Sequence, residues 1–480
     1  MKQERLREEQ SRALQGLSEK AMRELSGALR SDGISDLRYT VRGTQLRETS
    51  VRHGALRSQT EAEDMQLCIS GSFEGKRARC CFAGFPDAKT ASALLRESAA
   101  LSEETADQPE KNMGKAQKEA PHEARAVPEA KPEDQKGCDT LPFVWETQME
   151  TEAALIRAEA CGSEVAETVL VETCRFEQHL EEIRIFSGDG ALLLSDESGY
   201  HCMRAAVIAE KNGSREYTWG CRYGRRLRDT EPEALVRKIA EEAAGGLFGK
   251  SLPSGTYRVI LKGSVAAELT EAFLPAFFES RLKDGQSAVC GREKQLSASF
   301  LSLREDPFFS AGRMTRRADD EGTPVSPKYL MKDGGLCTRL CKSPEKAGEP
   351  ESTGNGFQPD PQSDVETGVT NVILESDGAH RKTREALFEL LSDGLYVTGI
   401  DGTFAGTNVK TGTFSLIARG QVILNGKPAG AFREVTIAAD FFDMLTKVRA
   451  AGETLAATPP DLSCVLAPDL LTEDIVVSGL

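Results

Sequence analysis

Histidine is scarce in this chain of 480 residues. It occurs five times, and no two copies lie within one helical turn of each other: His53, His122, His179, His201 and His380. A zinc peptidase helix needs two imidazoles on one face, about one turn apart, and a carboxylate that takes a proton from the metal-bound water. The sequence therefore argues against a conventional zinc helix in this chain.

The sequence lacks two other features, and their absence bears on the cellular compartment and on the state of the cysteines. There is no CxxC pair among the twelve cysteines, which argues against a zinc ribbon or a thioredoxin-type site and favours mostly reduced, buried thiols. There is also no run of about eighteen apolar residues, and the opening "MKQERLREEQ" carries charges of both signs where a signal peptide has an apolar core. We expect a cytoplasmic protein that has no membrane partner.

The charge balance argues against a nucleic-acid partner. The formal net charge is −15, from 75 acidic and 60 basic residues, so the overall field repels phosphate. The basic cluster "CRYGRRLRD" around Arg225 is interpreted as a solvated strand end and not as a phosphate site.

The first half of the chain predicts an α+β region with an insertion. Leu14, Leu17, Ala21, Leu25 and Ala28 recur at the spacing of one buried helical face. The segments "DLRYTVRG", "TSVRHGALR" and "MQLCISGSFEGKRARCCFAG" are then strand-like, with alternation and Gly-containing turns, and "DAKTASALLRESAALSEE" predicts a helix. Residues 103–137 are rich in Pro, Glu, Lys and Ala and nearly lack large apolar residues, which predicts a disordered insertion.

Ordered patterns resume at "LPFVWE" and change character near Lys250. Helices are predicted at "TEAALIRAEACGSE" and "EPEALVRKIAEEAAGGL", with strands at "AETVLVETC", "LEEIRIFSG" and "MRAAVIAEKNG" between them. Beyond Lys250 the chain is rich in glycine and strands, with isolated helices near Glu268, Arg384 and Phe441 and a long loop over 343–368. The predicted divisions are 1–102, 103–137, 138–250 and a β-rich domain over 251–480, with a curved sheet or barrel.

The segment "TEAFLP" follows the strand-like "TYRVILKG" and has the look of a helix that carries chemistry. Of its side chains only Glu271 suits a zinc site, because Thr270 is a poor zinc ligand and Pro275 is none. A proline at this depth also removes a backbone donor and tends to kink the helix. These residues favour a structural helix.

Three other motifs contain residue types that occur in ligand sites. In "RRADDEGTP", clustered carboxylates can bind a cation, but a solvated turn paired with Arg316 and Arg317 is favoured. The segment "STGNG" is interpreted as a tight turn, since it lacks the strand-to-helix context of a phosphate loop. In "CTRLC", no imidazole lies near Cys337 and Cys341, so metal binding there has little support.

The order of several segments resembles the TldD/PmbA family, specifically its PmbA (TldE) branch. The resemblance spans nearly all of 253–480 and is fainter over 1–250. It is carried by "SFLSLREDP", "RRADDEGTPVSPKYLMKDG", "STGNG", "TNVILESDG", "SDGLYVTGIDGTFAGTNVKTGTFSLIARGQVILNGK", "REVTIAADFFDMLTKVRAAG" and "LAPDLLTEDIVVSGL".

The resemblance implies a role without catalysis. In that family the TldD branch has a His-Glu-x-x-x-His zinc helix, and TldD and TldE pair to form a peptidase for small or unfolded peptides. That motif falls on 270–275 here, where both ligand positions are lost at Thr270 and Pro275. We therefore expect a subunit that binds no metal itself and pairs with a zinc-bearing TldD-like paralogue, or with itself.

The resemblance also suggests where substrate or partner contacts lie. Two segments are assigned to substrate binding or to the interface: Asp319, Asp320, Glu321 and Gly322, and Thr353, Gly354, Asn355 and Gly356. The block Gly394–Leu424 is a further candidate for the interface. Two alternatives stay open, a metallopeptidase with unconventional ligands such as Glu271 with Cys464, and a regulatory binding protein with no proteolytic role.

Overall fold

The computed structural model describes residues 18–102, 143–344, 349–359, 363–459 and 463–479. The predicted insertion at 103–137 lies outside these residues. The fold is α+β, as predicted, with two large sheets. None of the helices in the described ranges combines the length and the apolar character that crossing a membrane requires.

The N-terminal sheet is antiparallel throughout, with the strand order β3-β2-β1-β4-β5-β6. Helices pack on one of its faces, and the other face meets the C-terminal half. The elements are α1 (Glu19–Ser31), β1 (Ser35–Arg52), β2 (Ala55–Phe73), β3 (Lys76–Ala83), α2 (Ala88–Leu101), α3 (Gln148–Ser163), β4 (Val169–Phe186), β5 (Leu192–Lys211), β6 (Ser214–Gly224) and α4 (Pro232–Gly246).

Several of the strand-like segments do not correspond to single strands. The segment "MQLCISGSFEGKRARCCFAG" spans the end of β2 and the whole of β3. The segment "TSVRHGALR" is a hairpin and not a strand, because His53 and Gly54 both adopt positive φ, at 55° and 70°, and reverse the chain between β1 and β2. Conversely, "AETVLVETC" and "LEEIRIFSG" are parts of one long strand, β4. Alternation alone does not show where one strand ends and the next begins.

In the part of the chain that the structure describes, the C-terminal sheet contains twelve strands and curls into a ring. Strand β7 pairs with both β15 and β20, so β20, β18, β17, β15 and β7 close on themselves. The strands are β7 (Gly255–Leu261), β8 (Leu301–Glu305), β9 (Lys328–Lys332), β10 (Gly335–Leu336), β13 (Asn371–Ser376), β14 (Arg381–Lys382), β15 (Gly394–Asp401), β16 (Thr407–Asn408), β17 (Thr413–Leu424), β18 (Lys427–Asp440), β19 (Ala450–Ala457) and β20 (Cys464–Ser478).

The three helices that the sequence predicted in this half are present, and two short helices were not predicted. Those near Glu268, Arg384 and Phe441 are present as α5 (Gly263–Phe273), α7 (Arg384–Leu391) and α9 (Phe441–Thr446), and α6 (Glu279–Lys283) and α8 (Thr403–Gly406) are short. The remaining elements are the ladder β11 (Gly356–Phe357) with β12 (Glu366–Thr367), and 3₁₀ turns at Leu227–Thr230, Leu274–Phe277 and Gly378–His380.

Candidate functional site

Helix α5 occupies the position at which the sequence resemblance places a catalytic helix. It starts directly after β7, and its first amide, that of Gly263, donates to Asp469 Oδ1 at 2.7 Å. Its side chains are buried on most of its circumference, and the ring of Phe273 stacks on Phe441 with centroids 4.6 Å apart. The helix therefore belongs to the core of the C-terminal half.

The two lost ligand positions have structural roles in this core. Thr270 is 3% exposed, and its hydroxyl donates to the carbonyl of Ala266 at 2.7 Å. The α-helix ends at Phe273, and Pro275 lies in the 3₁₀ turn that continues it, as expected from a proline that cannot donate to the preceding turn. Glu271 is the only zinc-ligating side chain of the three, so these residues do not fit a zinc ion.

A polar cluster that sequence reasoning missed surrounds the start of α5. The second oxygen of Asp469 lies 3.3 Å from Arg384 Nε and 3.4 Å from the hydroxyl of Tyr396. Lys262, just before the helix, pairs with Glu242 of α4 at 2.6 Å. The residues of this cluster come from five different elements or their ends, so no local sequence motif predicts it. A carboxylate at a helix N-terminus stabilises the helix dipole, and this cluster fixes α5 in place.

The turn at Asp319–Gly322 is not the solvated turn that was predicted. Asp319 is fully buried, and its carboxylate accepts hydrogen bonds from the backbone N–H groups of Glu321, Thr323 and Gly356 at 2.8–3.0 Å. Burial raises the pKa of Asp319 to about 6, although these donors oppose the shift. The Asp319 carboxylate takes the place of water as the hydrogen-bond acceptor for three backbone N–H groups, and these bonds hold the turn in place.

Asp320 joins this turn to the N-terminal sheet. Its carboxylate lies 2.5 Å from Arg316 Nη2 and 3.4 Å from Arg42 Nη2, and Arg42 also reaches Glu181 at 3.2 Å. Burial by itself would raise the pKa of Asp320, but the charges of Arg316 and Arg42 outweigh it and the pKa is lowered. The other predicted partner, Arg317, pairs with Asp196 of β5 instead, at 3.0 Å.

The second predicted segment, 353–356, lies against the first. The carbonyl of Gly356 accepts from Asp320 N at 2.9 Å, which mirrors the bond from Gly356 N to Asp319. Asn355 is fully buried and donates to Glu305, while Lys328 contacts both Asn355 and Glu305. The structure thus brings the two segments together, but their buried side chains are engaged within the chain. Their assignment to substrate or partner contacts stays a prediction.

The described cysteines are mostly free thiols, as predicted, but only Cys174, Cys202 and Cys464 are buried. Cys68 and Cys81 face each other across β2 and β3 and form a disulfide. Cys337 is exposed, Cys341 contacts the carbonyl of Glu351, and Cys464 is buried against the amide of Arg313. Across the described part of the chain, no three His, Cys, Asp or Glu side chains gather in a group that could hold a metal ion.

The block Gly394–Leu424 exposes large apolar side chains. Phe404, in α8, is fully exposed, Ile417 is 57% exposed and Leu424 is 49% exposed. Single exposed apolar residues are common on protein surfaces, but a fully exposed phenylalanine leaves its whole ring in water. Burial of such side chains against another surface is favourable, at roughly 25 cal/mol per Å².

Comparison with known proteins shows which family the C-terminal half of this chain is similar to. Residues 254–479 match the model of the PmbA/TldA metallopeptidase C-terminal domain. The metalloprotease PmbA of Escherichia coli O157:H7 is 25% identical over 294 residues, which are 60% of this chain and 62% of that protein. A PmbA homologue from Haemophilus influenzae is 24% identical over 57% of this chain and 58% of its own length. The alignments thus span less than two thirds of these relatives.

Solved structures share the fold over almost the whole chain. TldE from Thermococcus kodakarensis has a TM-score of 0.75 at 17% identity, covering 96% of this chain and 100% of that one. A protein described as a modulator of a DNA gyrase from Thermotoga maritima also has a TM-score of 0.75, at 22% identity and the same coverage. The C-terminal half thus belongs to the PmbA/TldD family of metallopeptidase-like proteins, and the solved structures show the same fold over nearly the whole chain.

Proposed function

We propose that this chain is the non-catalytic, TldE-like subunit of a TldD/TldE-type zinc peptidase that degrades or processes small or unfolded peptides. The proposal rests on the residues that occupy the zinc-ligand positions in and after α5. The helix keeps its place between β7 and the core, while the positions that would hold zinc are a buried, hydrogen-bonded threonine and a proline. The zinc ion and the hydrolytic step then belong to a paralogue with the His-Glu-x-x-x-His helix.

The exposed apolar residues of the block Gly394–Leu424 support pairing with such a paralogue. Stable subunit interfaces commonly have an apolar centre with large aromatic side chains. Phe404 and Ile417 fit this description, whereas the buried Asp319 and Asp320 are already used within the chain. We therefore place the interface at Phe404 in preference to the turn at Asp319–Gly322. The same surface would serve a homodimer.

A strand edge next to α5 suits an extended peptide. Within the described residues, β19 pairs with β20 on one side and with β14 only at Ala451 and Gly452 on the other, so Leu455–Ala457 pair along one edge only. Ala456 lies close to Gly263 at the start of α5. Addition of a peptide strand at such an edge uses backbone hydrogen bonds and tolerates varied side chains.

Co-expression with the zinc-motif paralogue tests the proposal. We expect the two chains to elute as one complex in size-exclusion chromatography at micromolar concentration, with peptidase activity in the complex and not in this chain alone. Metal analysis should find about one zinc per paralogue and well under one per copy of this chain. Stoichiometric zinc at the 270–275 helix would establish the alternative of a metallopeptidase in its own right.

A pair of substitutions locates the interface. Phe404→Asp should dissociate the complex, because it places a charge in the apolar centre of the contact. Leu101→Asp is the matched control, since Leu101 is 78% exposed at the end of α2 and outside the proposed interface. If wild-type chains elute separately and the paralogue is fully active alone, the subunit role fails and an independent regulatory protein becomes the better account.

A further inference from the structure

Two cysteines lie next to each other on neighbouring strands of the N-terminal sheet. Cys202 of β5 is opposite Tyr223 of β6, and Cys221 of β6 is opposite Arg204 of β5, so the cysteines are diagonal neighbours on one face of the sheet. In the described part of the chain, β6 is the edge strand of this sheet and pairs only with β5. It can therefore shift by the small distance that a bond between the two sulfurs requires.

The two thiols differ in their exposure. Cys202 is fully buried, whereas Cys221 is half-buried. The Cys221 sulfur lies 3.8 Å from the hydroxyl of Tyr223 and 4.0 Å from the carbonyl of Thr458, which belongs to the C-terminal half. A small oxidant that arrives from solvent therefore reaches Cys221 before Cys202.

The charged residues near Cys221 favour its thiolate form. Arg204 is directly opposite on β5, and the buried guanidinium of Arg313 lies 3.4 Å from the hydroxyl of Tyr223 and 5.2 Å from the centre of its ring. Glu177 lies 3.7 Å from Arg204 and balances one of these two positive charges. The remaining charge is positive, and positive charge near a thiol increases the fraction of thiolate, which is the nucleophile.

The pKa values of the two thiols are shifted in opposite directions. The pKa of Cys221 is lowered, mainly by a hydrogen bond with the Cys202 thiol; the Tyr223 hydroxyl and the charges of Arg204 and Arg313 add to this shift, and burial opposes it. Burial raises the pKa of Cys202 well above the usual value of a thiol. Cys221 is thus the thiol that reacts first, and Cys202 is a neutral thiol beside it.

We propose that Cys221 is an oxidation site for hydroperoxides and that Cys202 then forms a disulfide with it. The Cys221 thiolate attacks the terminal oxygen of the peroxide, the O–O bond breaks, and the departing alkoxide takes up the proton that the thiol has released. This step oxidises the sulfur by two electrons to a sulfenic acid. The Cys202 sulfur then attacks the Cys221 sulfur, the S–O bond breaks, and the hydroxide leaves as water with the proton of Cys202.

The overall reaction converts two thiols and one hydroperoxide into a disulfide, an alcohol and water. The residues that carry it all belong to this chain, so the inference does not depend on a role in peptide hydrolysis or on a paralogue.

Peptide mapping after oxidation tests the site. The full-length chain, freed of reductant, is treated with stoichiometric hydrogen peroxide, its remaining thiols are alkylated, and it is digested with trypsin without reduction. Cleavage after Arg204 and Arg222 places Cys202 and Cys221 in different peptides. We expect these peptides to be joined by a disulfide that dithiothreitol breaks. If the oxidised chain lacks this disulfide, the inference is wrong.

Substitutions separate the roles of the two thiols. Cys202→Ala should stop the reaction at the sulfenic acid, so that dimedone labels Cys221 about tenfold or more above Cys161, a half-buried cysteine of α3. Cys221→Ser should remove both the label at this position and the disulfide. Cys161→Ser is the matched control and should form the disulfide as the wild type does. A folded Cys202→Ala variant in which Cys221 is labelled no more than Cys161 would overturn the inference.

Discussion

At the residue scale, buried ionisable groups control how this protein responds to pH. His201 of β5 is fully buried between the rings of Phe143 and Phe176. Burial lowers the pKa of His201 to about 4, and the nearby charges of Arg226 and Arg225 add to the shift. The imidazole is therefore neutral in the folded protein at pH 7.

This histidine predicts a loss of stability in mild acid. The unfolded chain takes up the proton near pH 6.5 and the folded chain only near pH 4, so the free energy of unfolding falls as the pH is lowered between these values. The contribution is about 3 kcal/mol in total. Urea unfolding at several pH values should show this slope in the wild type and a smaller one in His201→Leu.

A control variant separates this effect from general acid sensitivity. His53→Asn removes an exposed histidine from the hairpin turn and replaces it with a residue that tolerates positive φ. It should keep the wild-type slope. Identical slopes for His201→Leu and the wild type would contradict the prediction.

Asp319 carries a second prediction at this scale. Asp319→Ala leaves three backbone N–H groups without their acceptor, so we expect a loss of about 3 kcal/mol or more in the free energy of unfolding, measured in urea. Asp319→Asn keeps one acceptor oxygen and should lose less. Because the pKa of Asp319 is raised from 3.8 to about 6, its contribution to stability decreases as the pH rises through that interval. An Asp319→Ala variant as stable as the wild type would show that the turn rearranges.

At the scale of elements, the disulfide between β2 and β3 predicts a stability that depends on redox conditions. The bond links residues 13 positions apart, and closing a loop of this size stabilises a fold by about 3 kcal/mol. Without reductant, Cys68→Ser should therefore be less stable than the wild type by about this amount. With dithiothreitol, the two should unfold at the same urea concentration.

The neighbouring thiol supplies the control for this experiment. Cys80 packs on the opposite face of β3, against the cluster under α1 and α2. Cys80→Ser should leave the difference between oxidised and reduced protein in place. A wild type whose stability is indifferent to dithiothreitol would contradict the predicted effect.

Helices were easier to locate from the sequence than strands. Apolar spacing and capping residues lie within one segment, as with Thr383 at the start of α7 and Asp440 at the start of α9. The ends of strands depend on turns and on partner strands elsewhere in the chain. The sequence pattern therefore predicted a strand where His53 and Gly54 form the turn of a hairpin. The cluster around Asp469 could not be predicted, since its members are as far apart in sequence as Glu242 and Asp469.

At the scale of the whole molecule, Arg42 and Asp320 couple the two large sheets. Arg42→Ala removes one of the two arginines on a carboxylate that is 3% exposed, and the bond from Arg42 to the carbonyl of Gln358 is lost with it. We expect the N-terminal sheet to unfold at lower urea concentration than the C-terminal half, with a loss of about 2 kcal/mol.

The two halves can be followed separately. Both tryptophans, Trp145 and Trp219, lie in the N-terminal half, so their fluorescence reports that half, whereas far-ultraviolet circular dichroism reports the whole chain. The two transitions should coincide in the wild type and separate in Arg42→Ala. Arg57→Ala, which removes an exposed arginine of β2, should behave as the wild type. Coincident transitions in Arg42→Ala would show that other contacts suffice to couple the sheets.

The sequence by itself determined the α+β class, the three longest helices described in the C-terminal half and the lack of a histidine pair at 270–275, because residue type and short-range spacing decide these features. Only the tertiary structure decided that Asp319 and Asp320 are buried, that Cys68 meets Cys81 and that five strands close into a ring. The burial of Asp320 and the closure of the ring depend on partners distant in the chain, as Arg42 is from Asp320. A carboxylate in a polar turn looks the same in sequence whether water or a buried arginine compensates its charge, and only the packing of the two halves decides between them.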